Sequence, residues 1–148
     1  MKVEDCMNEG VCFVRLETKI SDVAKIMKEN HIGCVPVCDG NNTICGILTD
    51  RDILLRTVAC NKDVNSTTAS EIMTTNVCTC KKEEEMQNAQ SKMSTYQIRR
   101  LPVCDEQNKV VGILTLGNLA ENDVKLGKDD VCSTLNNICD CNTHKNDQ

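Results

Sequence analysis

Residues 31–53, HIGCVPVCDGNNTICGILTDRDI, lie over residues 97–119, QIRRLPVCDEQNKVVGILTLGNL, at an offset of 66 and without a gap. Ile32 falls on Ile98, Pro36 on Pro102, Cys38 on Cys104, Asp39 on Asp105 and Gly46 on Gly112. The only two prolines of the chain therefore occupy equivalent positions. The register runs backwards through Met27/Met93 and Val11/Val77 to Met7/Met73. Self-similarity at a fixed period marks one supersecondary unit written twice. A small unit with an apolar sheet face cannot cover that face alone, so the duplication constrains the fold more than any other feature.

Each copy reads β-α-β-β-α. In the first, VCFV is a short strand, and SDVAKIMKEN is a helix with Ser21 as N-cap and Val23, Ile26 and Met27 on one face. CVPVC is a strand with Pro36 near its start or edge, and DGNN is a turn. TICGILT is the hairpin partner, and DRDILLRTVA continues as a helix. The second copy runs VCTC, EEEMQNAQSKMSTY, RLPVC, DEQN, KVVGILT and LGNLAEN. The expected fold is α/β in the mixed α+β sense, with two β-α-β-β-α repeats packed sheet to sheet about a pseudo-two-fold axis. The expected boundaries are 1–58 for the first repeat, 59–70 for a linker and 71–121 for the second repeat. Residues 122–148 form a C-terminal extension, partly helical or disordered, in which VCSTLNNI sets Val131, Leu135 and Ile138 on one helical face.

Composition narrows the function. Phe13 and Tyr96 are the only aromatic residues, so the core is aliphatic and stacking platforms for single-stranded nucleic acid are nearly absent. The net charge of −5 argues against a general nucleic-acid surface. No apolar run approaches the roughly 20 residues of a membrane span, and MKVEDCMNEG lacks an apolar signal core. These features point to a cytoplasmic protein with neither a nucleic-acid nor a membrane partner. Several of the 12 cysteines sit in apolar segments (GCVPVC, TICGIL, LPVCD), where Cys behaves as a small buried hydrophobe.

The paired copies resemble the cystathionine β-synthase (CBS) domain pair, or Bateman module. The resemblance rests on HIGCVPVCD…CGILTDRDI and QIRRLPVCD…VGILTLGNL, each preceded by an M-x-x-x-V entry, MNEGV and MTTNV. It covers roughly residues 1–121. It implies a regulatory binding module rather than an enzyme, with an adenosine-containing ligand such as AMP, ADP, ATP or S-adenosylmethionine. It also implies a homodimer of pairs and, for a pair standing alone, a separate regulated protein. No cofactor is required.

An adenine nucleotide asks for a carboxylate on the ribose diol and for cations on the phosphate. GILTDRD supplies Thr49 and Asp52, and QIRRLPV supplies Arg99 and Arg100. The resemblance implies a cleft in which these face Val77 and Thr79. The opposite cleft would use Thr115 and Asn118 with Val11, Phe13, Gly33 and Cys34, and it lacks both the carboxylate and the arginines. T-x-x-D is equally a capping box, with Thr49 as N-cap and Asp52 at N3, and the two roles can coexist. A metal- or redox-responsive reading would use Cys132, Cys139, Cys141 and His144, although C-x6-C-x-C-x2-H is not a standard structural-zinc spacing. A purely structural dimerisation module is the remaining alternative.

Overall fold

The offset of 66 carries into the secondary structure. The computed structural model describes residues 1–122 and 128–139. In chain order they form β1 (Asn8–Glu9), β2 (Val14–Arg15), α1 (Ile20–Asn30), β3 (Cys34–Cys38), β4 (Ile44–Thr49), α2 (Asp50–Ile53) and α3 (Ala69–Ile72). There follow β5 (Cys80–Lys81), α4 (Met86–Tyr96), β6 (Arg100–Cys104), β7 (Val110–Thr115), α5 (Leu116–Glu121) and α6 (Lys128–Ile138). Every element from β2 to α2 starts 66 residues before its counterpart from β5 to α5. The architecture is mixed α+β with two sheets, ordered β2-β3-β4 and β1-β7-β6-β5.

The hairpin turns repeat down to single bonds. Asp39 Oδ1 accepts from the amides of Asn41 and Thr43 at 2.9 and 3.1 Å. Asp105 Oδ1 accepts from Gln107 and Lys109, both at 2.9 Å. The turn needs a left-handed residue, which is Asn42 (φ 64°) in one copy and Asn108 (φ 63°) in the other. Asn tolerates that region better than most side chains. Arg15 and Lys81, at equivalent positions, each donate to the carbonyl of the turn aspartate.

Two compact units emerge, and they interleave the copies. One spans residues 12–77. The other joins residues 1–11 to the described residues from 78 onward. In the latter, β1 pairs antiparallel with β7, Asn8 opposite Ile113. In the former, Ile47 and Thr74 exchange backbone hydrogen bonds of 2.9 Å at the matching position. The M-x-x-x-V entries explain why the strand carries glycine there. A Cβ on Gly46 would stand 2.5 Å from Met73 Sδ and 2.9 Å from the Thr74 carbonyl oxygen. On Gly112 it would stand 2.7 Å from Met7 Sδ and 2.9 Å from the Asn8 carbonyl oxygen. Each entry segment is therefore seated on a G-I-L-T strand of the other sequence copy. The cores beside these sheets are aliphatic: Val14, Ile20, Val23, Val35, Val37 and Leu48 in one, Met86, Met93, Ile98, Leu101, Val103 and Leu114 in the other.

Several local expectations change. Ser21 is not the N-cap; α1 starts at Ile20 after Lys19, without a side-chain cap. Its first amides are instead met by carbonyls of the incoming segment, Ile20 to Thr67 at 2.9 Å and Ser21 to Val64 at 3.0 Å. Met86 likewise donates to the Met1 carbonyl at 2.9 Å, which extends the internal register back to Met1/Thr67. The strands expected at VCFV and VCTC instead fall at their last residue and the one after, as β2 (Val14–Arg15) and β5 (Cys80–Lys81), which pair in parallel with Val37–Cys38 and Val103–Cys104. Pro36 and Pro102 lie just before those partners, where the middle strand is hydrogen-bonded on one side only. In α6, Ile138 is buried and Val131 packs on the core, but Leu135 is 44% exposed and Thr134 takes its inward place.

Gly46→Ala should destabilise the protein by about 1–3 kcal/mol, the usual cost of overpacking. The Thr74 backbone cannot yield as a flexible side chain would. A melting experiment should show Tm lower by roughly 3–10 °C. An unchanged Tm would contradict the close seating of Met73 and Thr74 on that strand.

Candidate functional site

The strand–helix junction of the 12–77 unit is a complete capping box. Thr49 ends β4, and its Oγ1 accepts from the Asp52 amide at 3.1 Å. Asp52 Oδ2 accepts from the Thr49 amide at 3.0 Å. Both residues are 1% exposed. The second Asp52 oxygen faces a cation: Arg56 Nη2 lies 3.2 Å from Oδ1. Arg56 Nη1 donates to the Ile72 carbonyl at 2.8 Å and to Thr74 Oγ1 at 3.0 Å. The helix beyond Ile53 widens to π geometry over Leu54–Val58, and the Ala59 amide bonds the Leu54 carbonyl at 3.0 Å. Such wide turns recur at functional sites. Arg56 and Thr74 were missed by the sequence reading. The i,i+4 spacing of Asp52 and Arg56 was the available signal.

The other unit repeats the box without the charge. Asn118 Oδ1 accepts from the Thr115 amide at 2.9 Å, and Thr115 Oγ1 accepts from the Asn118 amide at 3.2 Å. Asn118 Nδ2 donates to Asn8 Oδ1 at 3.2 Å, and Asn8 Nδ2 returns a bond to Asn118 Oδ1 at 3.4 Å. Asn122 Nδ2 donates to the Asn118 carbonyl at 2.9 Å. Positions Asp52, Arg56 and Thr74 thus correspond to Asn118, Asn122 and Asn8. One junction is an ion pair with a hydroxyl, and the other is three neutral amides. The cap itself does not need a charge.

Within a unit, Cys34 is the register partner of Thr49, and Arg100 is the partner of Thr115. Gly33 sits against the helix start: its carbonyl accepts from the Asp50 amide at 3.0 Å, and a Cβ would meet Asp50 Oδ2 at 2.9 Å. Arg99 is exposed and Arg100 half-buried. The Arg99 carbonyl accepts from Leu116 at 2.9 Å. Val11, Phe13, Val77 and Thr79 are half-buried, and Arg15 lies over the Phe13 ring at 5.2 Å. The Thr79 carbonyl accepts from Lys92 Nζ at 3.0 Å, and the same ammonium pairs with Glu84 at 2.8 Å.

Among the described residues, no group of three or more His, Cys, Asp and Glu side chains is placed to hold a metal. Cys141 and His144 lie outside them. Cys132 and Cys139 are exposed and seven positions apart, Cys132 within α6 and Cys139 just past its end. Seven positions along a helix span about 10.5 Å. Two thiolates at about 2.3 Å from one zinc cannot bridge that distance. Burial pushes Cys80 up from 9.0 to about 12, with Glu84 adding to the rise and Lys92 opposing it. Burial likewise raises Cys78 and Cys104. An unfolded Cys80 ionises near 9.0, whereas the folded thiol keeps its proton to about 12. Over that window the unfolded state binds fewer protons, so stability falls as pH rises. Urea titrations across it should show a shallower alkaline loss in Cys80→Ala than in wild type. Equal slopes would contradict the burial of this thiol.

Two interleaved β-α-β-β-α units, each with a capped junction after a G-I-L-T strand, define a paired module built by duplication. The model of the CBS domain matches residues 3–58 and 69–125, and the chain belongs to that family. It is 38% identical over 142 residues to the CBS domain-containing protein YhcV of Bacillus subtilis, covering 96% of this chain and 98% of that one. Three solved structures are also similar. Hypoxic Response Protein I with two coordinated zinc ions has a TM-score of 0.76 at 32% identity, covering 82% of this chain and 98% of its own. The CBS domain pair of MJ0100 with 5′-methylthioadenosine and S-adenosyl-L-methionine has a TM-score of 0.73 at 32% identity, with coverages of 86% and 98%. CBSX2 of Arabidopsis thaliana in complex with AMP has a TM-score of 0.72 at 25% identity, with coverages of 84% and 97%. No described helix is long and apolar enough to cross a membrane.

Proposed function

We propose that this protein is a regulatory module that binds an adenosine-containing ligand and signals its presence to a separate partner, without catalysing a reaction. One observation carries the reading. The Thr49 junction keeps a buried carboxylate where the congruent Thr115 junction manages with an amide. Burying a carboxylate costs free energy unless it is paired and hydrogen-bonded. Since the cap works without it, the charge has another use. A ribose diol presents two hydroxyl donors, and a carboxylate bonded on each oxygen still has lone pairs to accept them. The AMP and S-adenosylmethionine complexes of similar CBS pairs make an adenosine compound the favoured ligand.

In this reading Asp52 and Thr49 receive the ribose, Val77 and Thr79 border the purine, and Arg99 and Arg100 serve the phosphate. The Asn118 site is the weaker one. The module acts as a homodimer in the cytoplasm. Leu54, Leu55 and Val58 are 56%, 41% and 61% exposed on one helical run, an apolar surface suited to a second copy.

Calorimetry with AMP and with S-adenosylmethionine tests the ligand. Asp52→Asn keeps an acceptor for the Thr49 amide, as Asn118 does for Thr115, and so separates folding from binding. Bonds to a charged acceptor contribute about 1.5–3 kcal/mol each, so affinity should fall at least about tenfold. Arg100→Gln should weaken AMP more than adenosine, and Asn118→Ala should change little. Wild-type affinity in Asp52→Asn would sink the assignment of Asp52, and no binding by the wild type would sink the sensing function.

A further inference from the structure

Arg56 is bound at both ends of its guanidinium within the 12–77 unit. Nη2 takes Asp52, and Nη1 takes the Ile72 carbonyl and Thr74 Oγ1. Its acceptors belong to two stretches far apart in sequence: the helix start, and the entry segment that leads to Val77. Among the described residues that segment is further tied to the strand by the Ile47–Thr74 backbone pair at 2.9 Å, by the Met73 side chain over Gly46 and by Ile72 in the core that holds Leu48. Among the described residues, the congruent place in the other unit shows no such bridge. There the Asn122 side-chain Nδ2 bonds the Asn118 carbonyl, and Asn118 reaches Asn8 directly through neutral amides. A charge, a fork to read it and a hydroxyl to receive it therefore occur together in one unit and are replaced together in the other. A planar fork with separate nitrogens can serve two acceptor sets at once, whereas an ammonium is a single point.

We propose that Arg56 is the positioning residue of the Asp52 site, and that it transmits the state of the Asp52 carboxylate to the entry segment Ile72–Thr74. This rests on the reading of Asp52 as the ribose acceptor. A diol arriving at Asp52 shares Oδ1 with Arg56 and weakens the ion pair. The guanidinium then holds Ile72 and Thr74 less firmly, and the Ile47–Thr74 bridge opens more often. Ligand occupancy at the helix start is thereby converted into mobility of the segment that leads into the second copy.

Amide hydrogen exchange at Ile47 and Thr74 reads that bridge directly, because opening limits exchange. Without ligand, Asp52→Asn and Arg56→Gln should each speed exchange at both amides by about threefold or more. The matching amides at Asn8 and Ile113 should stay unchanged. Asp52 reaches Ile72 and Thr74 through Arg56 in this network, so the response in Asp52→Asn reads the ion pair rather than a bond to the segment itself. In the wild type, AMP should also speed exchange at Thr74, opposite to the slowing that simple ligand protection gives. At saturating AMP, Arg56→Lys should lose this response. Wild-type exchange in Asp52→Asn and Arg56→Gln would overturn the linkage whatever AMP does. AMP binding that slows exchange at Thr74, or an Arg56→Lys protein that responds like the wild type, would also overturn it. Faster exchange in the two variants, with no AMP binding by the wild type, would uphold the linkage and overturn the nucleotide reading alone.

Discussion

The seating of each entry segment on a bare glycine strand is the contact on which the rest of this structure depends. At Gly46 and Gly112 the backbone of the entry segment comes close enough to exchange strand-type hydrogen bonds, and a methionine closes over the gap. Any Cβ there would push the two backbones apart. Because the segment that completes one sheet belongs to the other sequence copy, neither copy forms its unit alone. The same segments deliver the carbonyls of Thr67 and Met1 to the starts of α1 and α4, so helix capping also depends on the exchange.

On that frame the two junctions behave as a natural comparison. Both make a reciprocal box between a threonine and the residue at N3, with nearly equal bond lengths. Only one adds a carboxylate, an arginine and a hydroxyl. Three positions scattered over the sequence differ together, an ion pair and a hydroxyl in one unit and three neutral amides in the other. Removing one member of a buried pair is more costly than replacing the whole set. The two junctions therefore differ as a set, and on the proposed function the Asp52 side is the one that meets a charged task.

Much of this was legible in the chain. The overlay placed β5, α4, β6, β7 and α5 from β2, α1, β3, β4 and α2, and the Asp39 and Asp105 turns followed from local chemistry. The capping role of Thr49 and Asp52 was visible in T-x-x-D, as was the contrast with Asn118. Ser21 was misread because a good capping residue next to a helical pattern looks like its start. The actual donors were met by backbone carbonyls, which carry no side-chain signature. Leu135 was misread because 3.6-residue periodicity admits either i+3 or i+4. The packing of α6 chose Thr134, between Val131 and Ile138, for the inward face.

By itself, then, the sequence determined the duplication, the order of elements, the turns and the boxes, since all of these are written in residue types a few positions apart. Tertiary structure alone decided which segment completes which sheet, and that Arg56 joins Asp52 to Thr74. Backbone pairing between distant stretches depends on shape and on hydrogen bonds every residue can make, so no residue type announces its partner. Only when Met73 is seated over Gly46 does Thr74 come within reach of the arginine.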